Sequence, residues 1–414
     1  MEFSDLPQVI LLCGLIFFVT VLWRIFSIYA QSNKNGYSPP EPAGAWPIIG
    51  HLHLLLGANK LLHRVFGAMA DKLGPVFSLQ LGIHNTIVVS SWEVAKECFT
   101  VQDKVFSDRP KTLAAKIMGY DRAMFGFLPN GPEWRNLRRL VMVELLSNRR
   151  LDKLKHIPES EVNLFVRGLY GLWKSKGEGS VPVVELTERF GDLTTNVVVR
   201  MVAGKRYFGD GGFQNEEARR FQQATKNFLH LVGLFMVSDV VPLFGWIDSL
   251  TGYKGKMKKT AKEMDGILEG LMKEHQQKRK LSSIDELEQD FMHVMLSVQE
   301  SDPSAQISDT AIKGTCLTLL IGGYDTAMVT LTWAVSLLLN NRHVLRKVQD
   351  ELEKHVGRDR QVLHLTLARL LHGFELGTVL DMPIDMTEGP GITNPKATPL
   401  EVTFRPRLDP SLYV

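Results

Sequence analysis

The hydrophobic pattern divides the chain into an apolar N-terminus, a proline-rich stretch and a long body of mostly helical periodicity. Val9 to Trp23 carries no charge, and Ile25, Phe26, Ile28 and Tyr29 extend the apolar run past Arg24. A membrane-spanning helix needs roughly 20 mainly apolar residues. Leu6 to Ala30 supplies them if Arg24 reaches back to the headgroups. An N-terminal transmembrane helix within residues 1–30 is therefore expected. Glu2 and Asp5 precede the run while Arg24 and Lys34 follow it, so the positive-inside rule sets the body on the cytosolic side. A cleaved signal peptide is the competing reading; such peptides open on basic residues, which this chain lacks.

Beyond the anchor, YSPPEPAGAWPIIG from Tyr37 to Gly50 contains Pro39, Pro40, Pro42 and Pro47. Their fixed φ excludes helix and predicts a stiff, extended hinge over residues 31–50. Val76 to Val89 alternates and is β-branched around Gly82 and Asn85, which predicts a β-hairpin. Met257, Ala261, Met264, Leu268 and Leu271 recur at spacings of four and three, the signature of an amphipathic helix. Its methionines read as core contacts rather than a binding stripe. Lys278 to Asp290 reads as a polar connector, and Leu319 to Val335 as a long apolar helix. Gly377 to Pro399 is turn-rich, and Leu400 to Phe404 alternates like a strand. The expected fold class is mainly α with a small β portion, as one domain over residues 51–414.

Composition narrows this little. The 414 residues are 44% apolar and 22% charged, ordinary for a globular chain. A net charge of +3 from 48 basic and 45 acidic residues leaves no footprint for nucleic acid. Cys13, Cys98 and Cys316 are too widely spaced for a disulfide framework or a zinc site, so no metal ligands are expected from this pattern.

Two places carry chemistry. In GPEWRNLRR, Trp134 and Arg138 lie four apart after Pro132, a good first helical residue, so both side chains share one helix face. An indole N–H beside a guanidinium suits a carboxylate; a solvated basic face is the plainer reading. In LLIGGYDTAMVTLTWAV, Gly322 and Gly323 interrupt the apolar helix at roughly 1 kcal/mol each relative to alanine. Asp325 and Thr326 follow, and a buried carboxylate needs a partner. A packing glycine pair with a locally satisfied Asp is the plain alternative.

Together with the hinge, the first hairpin and FSDRP (Phe106 to Pro110), these motifs resemble the cytochrome P-450 monooxygenases, plant microsomal type most of all. The resemblance implies an internally truncated cytochrome P-450 fold, a haem cofactor and a lipophilic small-molecule substrate hydroxylated with O2. It also implies electrons from an NADPH-dependent cytochrome reductase, and a single-pass place in the endoplasmic reticulum membrane. Trp134 and Arg138 would hold a haem propionate, Gly322 and Gly323 would open a groove for oxygen, and Asp325 and Thr326 would deliver protons. Met118 to Phe127 and Phe228 to Phe235 are apolar stretches suited to a lipophilic ligand.

The chain departs from the family in two respects. Ala327 replaces the second hydroxyl of the oxygen motif. More consequentially, RDRQV, ending at Val362, runs directly into LHLTLARLLHGFE, Leu363 to Glu375, which resembles the last core helix. The family's Glu-x-x-Arg helix and haem-cysteine loop belong between them, and no cysteine follows Cys316. An internal deletion near 362/363 is expected, and with it a non-catalytic, membrane-anchored product as the alternative to an enzyme. A third reading has His364 or His372 hold the iron.

Overall fold

The computed structural model describes residues 14–20, 23, 38–57, 61–177, 179–209, 216–281, 289–301, 307–357 and 366–413. Residues 14–20 are helical, while most of the expected anchor and the 362/363 join lie outside the described residues. No single helix among the described residues is long and apolar enough to cross a membrane. The chain divides into two compact units, one of Met1–Ser107 with Val237–Trp246, the other of Asp108–Met236 with Ile247–Val414.

The smaller unit is built on the expected hairpin. Helix α1 (Leu62–Leu73) precedes strands β1 (Val76–Leu81) and β2 (His84–Val89), and α2 (Trp92–Phe99) follows them. The strands pair antiparallel from Val76↔Val89 to Leu81↔His84. Alternation buries Phe77, Leu79 and Leu81 against Leu52, Leu55, Val240 and Val241. Gly82 turns the hairpin at φ +60, and a Cβ there would meet the Val240 carbonyl at 1.9 Å. The proline stretch is docked, not free: the Ser78 amide donates to the Pro40 carbonyl at 2.9 Å. His51, fully buried, donates from Nε2 to Pro42 O at 2.9 Å and accepts the Gln80 amide at Nδ1. A proline-rich segment offers unspent carbonyls, and a strand edge offers the N–H groups that take them.

The larger unit is helical: α3 (Leu113–Met118), α4 (Pro132–Glu144), α5 (His156–Ser175), α6 (Leu186–Ala203), α7 (Glu216–Val232) and α8 (Tyr253–Leu281) precede α9 (Phe291–Ser301). Then come α10 (Asp309–Asn340), α11 (Arg342–Val356) and α12 (Thr366–Gly373). A small antiparallel sheet of β3 (Val183–Glu185), β4 (Phe374–Thr378) and β5 (Glu401–Pro406) has the order β3-β5-β4. The tail thus differs from its expected helix to Glu375. Gly373 ends the helix, and Phe374 and Leu376 turn into the core on a strand paired with Arg405 and Phe404. The predicted helix through Met257 and Leu271 is present as α8, burying Met257, Met264, Leu268 and Leu271 on one side.

Helix α10 runs through the middle of this unit. Ser308 starts it by accepting the Ala311 amide at 3.1 Å, with Asp309 in the first turn. Its first half joins one apolar core with α8, α9 and α7; its second half joins another with α5, α12 and the sheet. Buried Glu161 of α5 binds α6 through Arg200 at 2.7 Å and Asn196 at 3.0 Å, and takes Arg206 at 2.9 Å.

Candidate functional site

Because α10 turns 100° per residue, the motif residues face different ways. Thr318, Gly322, Thr326 and Thr330, four apart, form one stripe; Gly322, Thr326 and Thr330 are exposed. A Cβ on Gly322 would meet nothing within 4 Å, so this glycine keeps the stripe bare. Gly323 serves packing instead: a Cβ there would lie 2.7 Å from Val198 Cγ2 of α6. The Thr326 hydroxyl donates to the Gly322 carbonyl at 2.6 Å, and Thr330 donates to the Thr326 carbonyl at 2.7 Å. Both protons are spent on the helix itself, leaving the outward lone pairs as acceptors.

Asp325 lies off that stripe. It is 9% exposed and accepts the Thr393 hydroxyl from the segment before β5 at 2.5 Å. Burial pushes its carboxyl above the ordinary range, against the Thr393 hydrogen bond and the charge of Lys226. The same segment is tied to α10 by Trp333 Nε1, which donates to Asn394 O at 2.9 Å, and by Asn340, which binds Ile384. The structure therefore does not bring Asp325 and Thr326 to one point; they serve adjacent faces.

Trp134 and Arg138 do share a face of α4, as their spacing predicts. The guanidinium lies over the indole at 5.1 Å, and among the described residues no acid pairs with it. Trp134 stacks on Phe125 at 6.1 Å. The next residue, Gly126, donates its amide to Thr318 at 3.3 Å, which ties the Phe125–Trp134 stack to the first residue of the stripe. Upstream, Asp108 of the FSDRP stretch accepts the Arg109 and Asn130 amides, which hold its carboxyl below the ordinary range and fix the turn into α4. Sequence reasoning missed Thr318, Thr330 and Thr393. The four-residue spacing exposed the first two to view; nothing local points to Thr393.

Comparison with known proteins gives the family. The cytochrome P450 family model matches residues 39–397. The chain belongs to the cytochrome P450 family. It is 41% identical to xanthotoxin 5-hydroxylase CYP82C2 of Arabidopsis thaliana, over 96% of this chain and 98% of that protein. It is 41% identical to strychnine-10-hydroxylase of Strychnos nux-vomica across 100% of both. Flavonoid-6-hydroxylase of Mentha piperita is 36% identical, with 97% and 99% covered. These alignments run 517, 530 and 515 positions against a chain of 414 residues, so more than a hundred positions of each fall opposite no residue here.

The cytochrome P450 cofactor is haem, and the residues present fit it on one side. Among the described residues Arg138 and Trp134 are donors without an acid, and Gly322 leaves a bare face on α10. They do not fit on the sulfur side. Cys316 is fully buried, packed in the core, and burial drives its thiol far above the ordinary range. Cys98 is half-buried in the smaller unit, and Cys13 lies outside the described residues. His372 is buried, with Nε2 on Gly357 O at 2.8 Å, while His364 lies outside the described residues. Among the described residues no group of three His, Cys, Asp or Glu could hold a metal.

Proposed function

We propose that this chain derives from a plant haem-dependent hydroxylase of a small lipophilic secondary metabolite. As its sequence stands it has lost the segment that carries the iron's sulfur ligand, with the join near Val362 and Leu363. The observation that carries the reading is the surplus of more than a hundred alignment positions over the chain, combined with the absence of any cysteine after Cys316. When bound, haem in this family activates oxygen for insertion into substrate. What remains here is the wall that faces that chemistry: donors for a carboxylate, a bare glycine, threonine lone pairs and a buried acid.

The parent activity is read from the relatives, hydroxylases of xanthotoxin, strychnine and flavonoids by their names. Apolar Met118 to Phe127 sits next to the Trp134 stack through Phe125, which suits a flat lipophilic substrate. An NADPH-dependent cytochrome reductase is the expected electron donor of the parent. We place the chain on the endoplasmic reticulum membrane, body cytosolic. Leu6 to Ala30 is the anchor, and exposed Trp46, Ile48, Leu243 and Trp246 of the smaller unit supply interfacial contacts.

The test is expression in microsomes with a reductase, beside a version carrying the corresponding segment of a hydroxylase relative grafted between Val362 and Leu363. The grafted chain gains NADPH-dependent hydroxylation of a coumarin, flavonoid or alkaloid panel; the ungrafted chain shows none. Turnover by the ungrafted chain overturns the proposal.

A further inference from the structure

Between α8 and α9 lies a buried charge unconnected with the stripe on α10. His275 of α8 is 3% exposed, and both ring nitrogens meet acceptors. Nδ1 is 2.7 Å from the Leu271 carbonyl, and Nε2 is 2.7 Å from Asp290 Oδ2. A neutral imidazole has one N–H and one lone pair, so it serves one of these oxygens and repels the other; only the imidazolium serves both. Asp290 meanwhile caps α9, its Oδ1 accepting the His293 amide at 2.9 Å. Gly204, the left-handed cap of α6 at φ +62, makes room for this carboxylate: a Cβ there would lie 2.6 Å from Oδ2.

We propose that His275 and Asp290 form a proton-operated clamp, in which the imidazolium ties α8 to the capped start of α9 and loss of its proton releases that start. Burial opposes the charge on His275, but the Asp290 hydrogen bond and charge, with the Leu271 carbonyl, outweigh it and hold the pKa above the ordinary histidine value. Other charged and titratable groups surround the pair. Lys278 on α8 disfavours the His275 charge only weakly, and Arg279 is paired with Glu300 of α9 at 2.6 Å. Burial and the charge of Arg279 hold the pKa of His293 on α9 below the ordinary histidine value, and burial raises the Cys316 thiol on α10, which feels Asp290. Arg150, from helix Asn148–Leu154, donates to the Gln289 carbonyl.

The direction follows from linkage. The folded pKa is raised, so the clamp's contribution is complete below the unfolded histidine value of about 6.5 and is lost as pH rises through the folded one. Two measurements on the full chain in detergent decide it. Deuterium exchange at the imidazole C2 position, read by mass spectrometry, titrates His275 in the unaltered protein; a midpoint above that of a free histidine peptide is expected, and one at or below it overturns the clamp. Amide exchange in the first turn of α9, corrected for intrinsic rates, loses about tenfold protection per unit of pKa elevation as pH rises. His275→Gln and Asp290→Asn each flatten that dependence. An unchanged slope in either variant overturns the proposal, and the C2 titration decides should both variants fail to fold.

Discussion

Gly322 and Gly323 are neighbours in sequence with opposite duties, and alanine separates them. Each substitution gains the same helix propensity, about 1 kcal/mol relative to glycine in a helix interior. Gly322→Ala meets nothing within 4 Å, so that gain stands alone and the protein is stabilised. Gly323→Ala places its methyl carbon 2.7 Å from Val198 Cγ2 and 3.3 Å from Cγ1. A valine in a helix has one strongly preferred rotamer, so the clash moves α6 against α10 instead of a side-chain tip. Overpacking of this kind costs about 1–3 kcal/mol. The propensity gain cancels between the two variants, so their difference in unfolding free energy is the clash itself, again about 1–3 kcal/mol. Urea unfolding followed by far-ultraviolet circular dichroism in detergent measures it. Val198→Ala in the Gly323→Ala background removes the obstacle, and the double-mutant cycle returns a coupling of at least ~1 kcal/mol of rescuing sign. Equal stabilities for the two alanine variants, or additive behaviour in the cycle, would refute the assignment of Gly323 to packing and Gly322 to the open face.

Other consequences follow from single contacts. Arg138→Ala removes only a stacking contact with Trp134, so stability falls by about 0.5–1 kcal/mol. In fluorescence titration, binding of metal-free protoporphyrin, a dicarboxylate, weakens roughly tenfold with loss of one charge-assisted hydrogen bond. Glu161→Ala removes the carboxylate that Arg200 and Arg206 share, whose side chains are 24% and 33% exposed. Partial exposure reduces the buried-pair penalty to about 2–3 kcal/mol, read as a lowered urea midpoint. Asp325 has a folded pKa above its unfolded value, so the folded state binds the extra proton and stability falls as pH rises from about 4 through the raised value. Asp325→Asn removes that fall, which unfolding midpoints across pH 4 to pH 8 record; an unchanged pH profile contradicts the burial argument.

Much of the fold was legible because hydrophobic period and backbone restriction act locally. The hairpin at Val76 to Val89, α8 and the long central helix follow from spacing alone, and Trp134 with Arg138 share a face because four residues make about one turn. Three features were not legible, each for a non-local reason. The proline stretch reads as a stiff, extended hinge, yet its carbonyls are taken by Ser78 of β1 and by His51. Adjacency in sequence suggests that Asp325 and Thr326 act together, yet a 100° turn sends one to Thr393 and the other to solvent. The helix through Glu375 stops at Gly373 because pairing with β5 outweighs helical continuation for Phe374 and Leu376.

The proposed function requires that the oxygen-side wall of a cytochrome P450 be present here without a sulfur ligand for iron. Purified chain, expressed with haem precursor in excess, is assayed for haem content and for the difference spectrum of its reduced, carbon-monoxide-bound form. The account predicts far less than one haem per chain and no thiolate-ligated Soret band. Stoichiometric haem showing that band would contradict it.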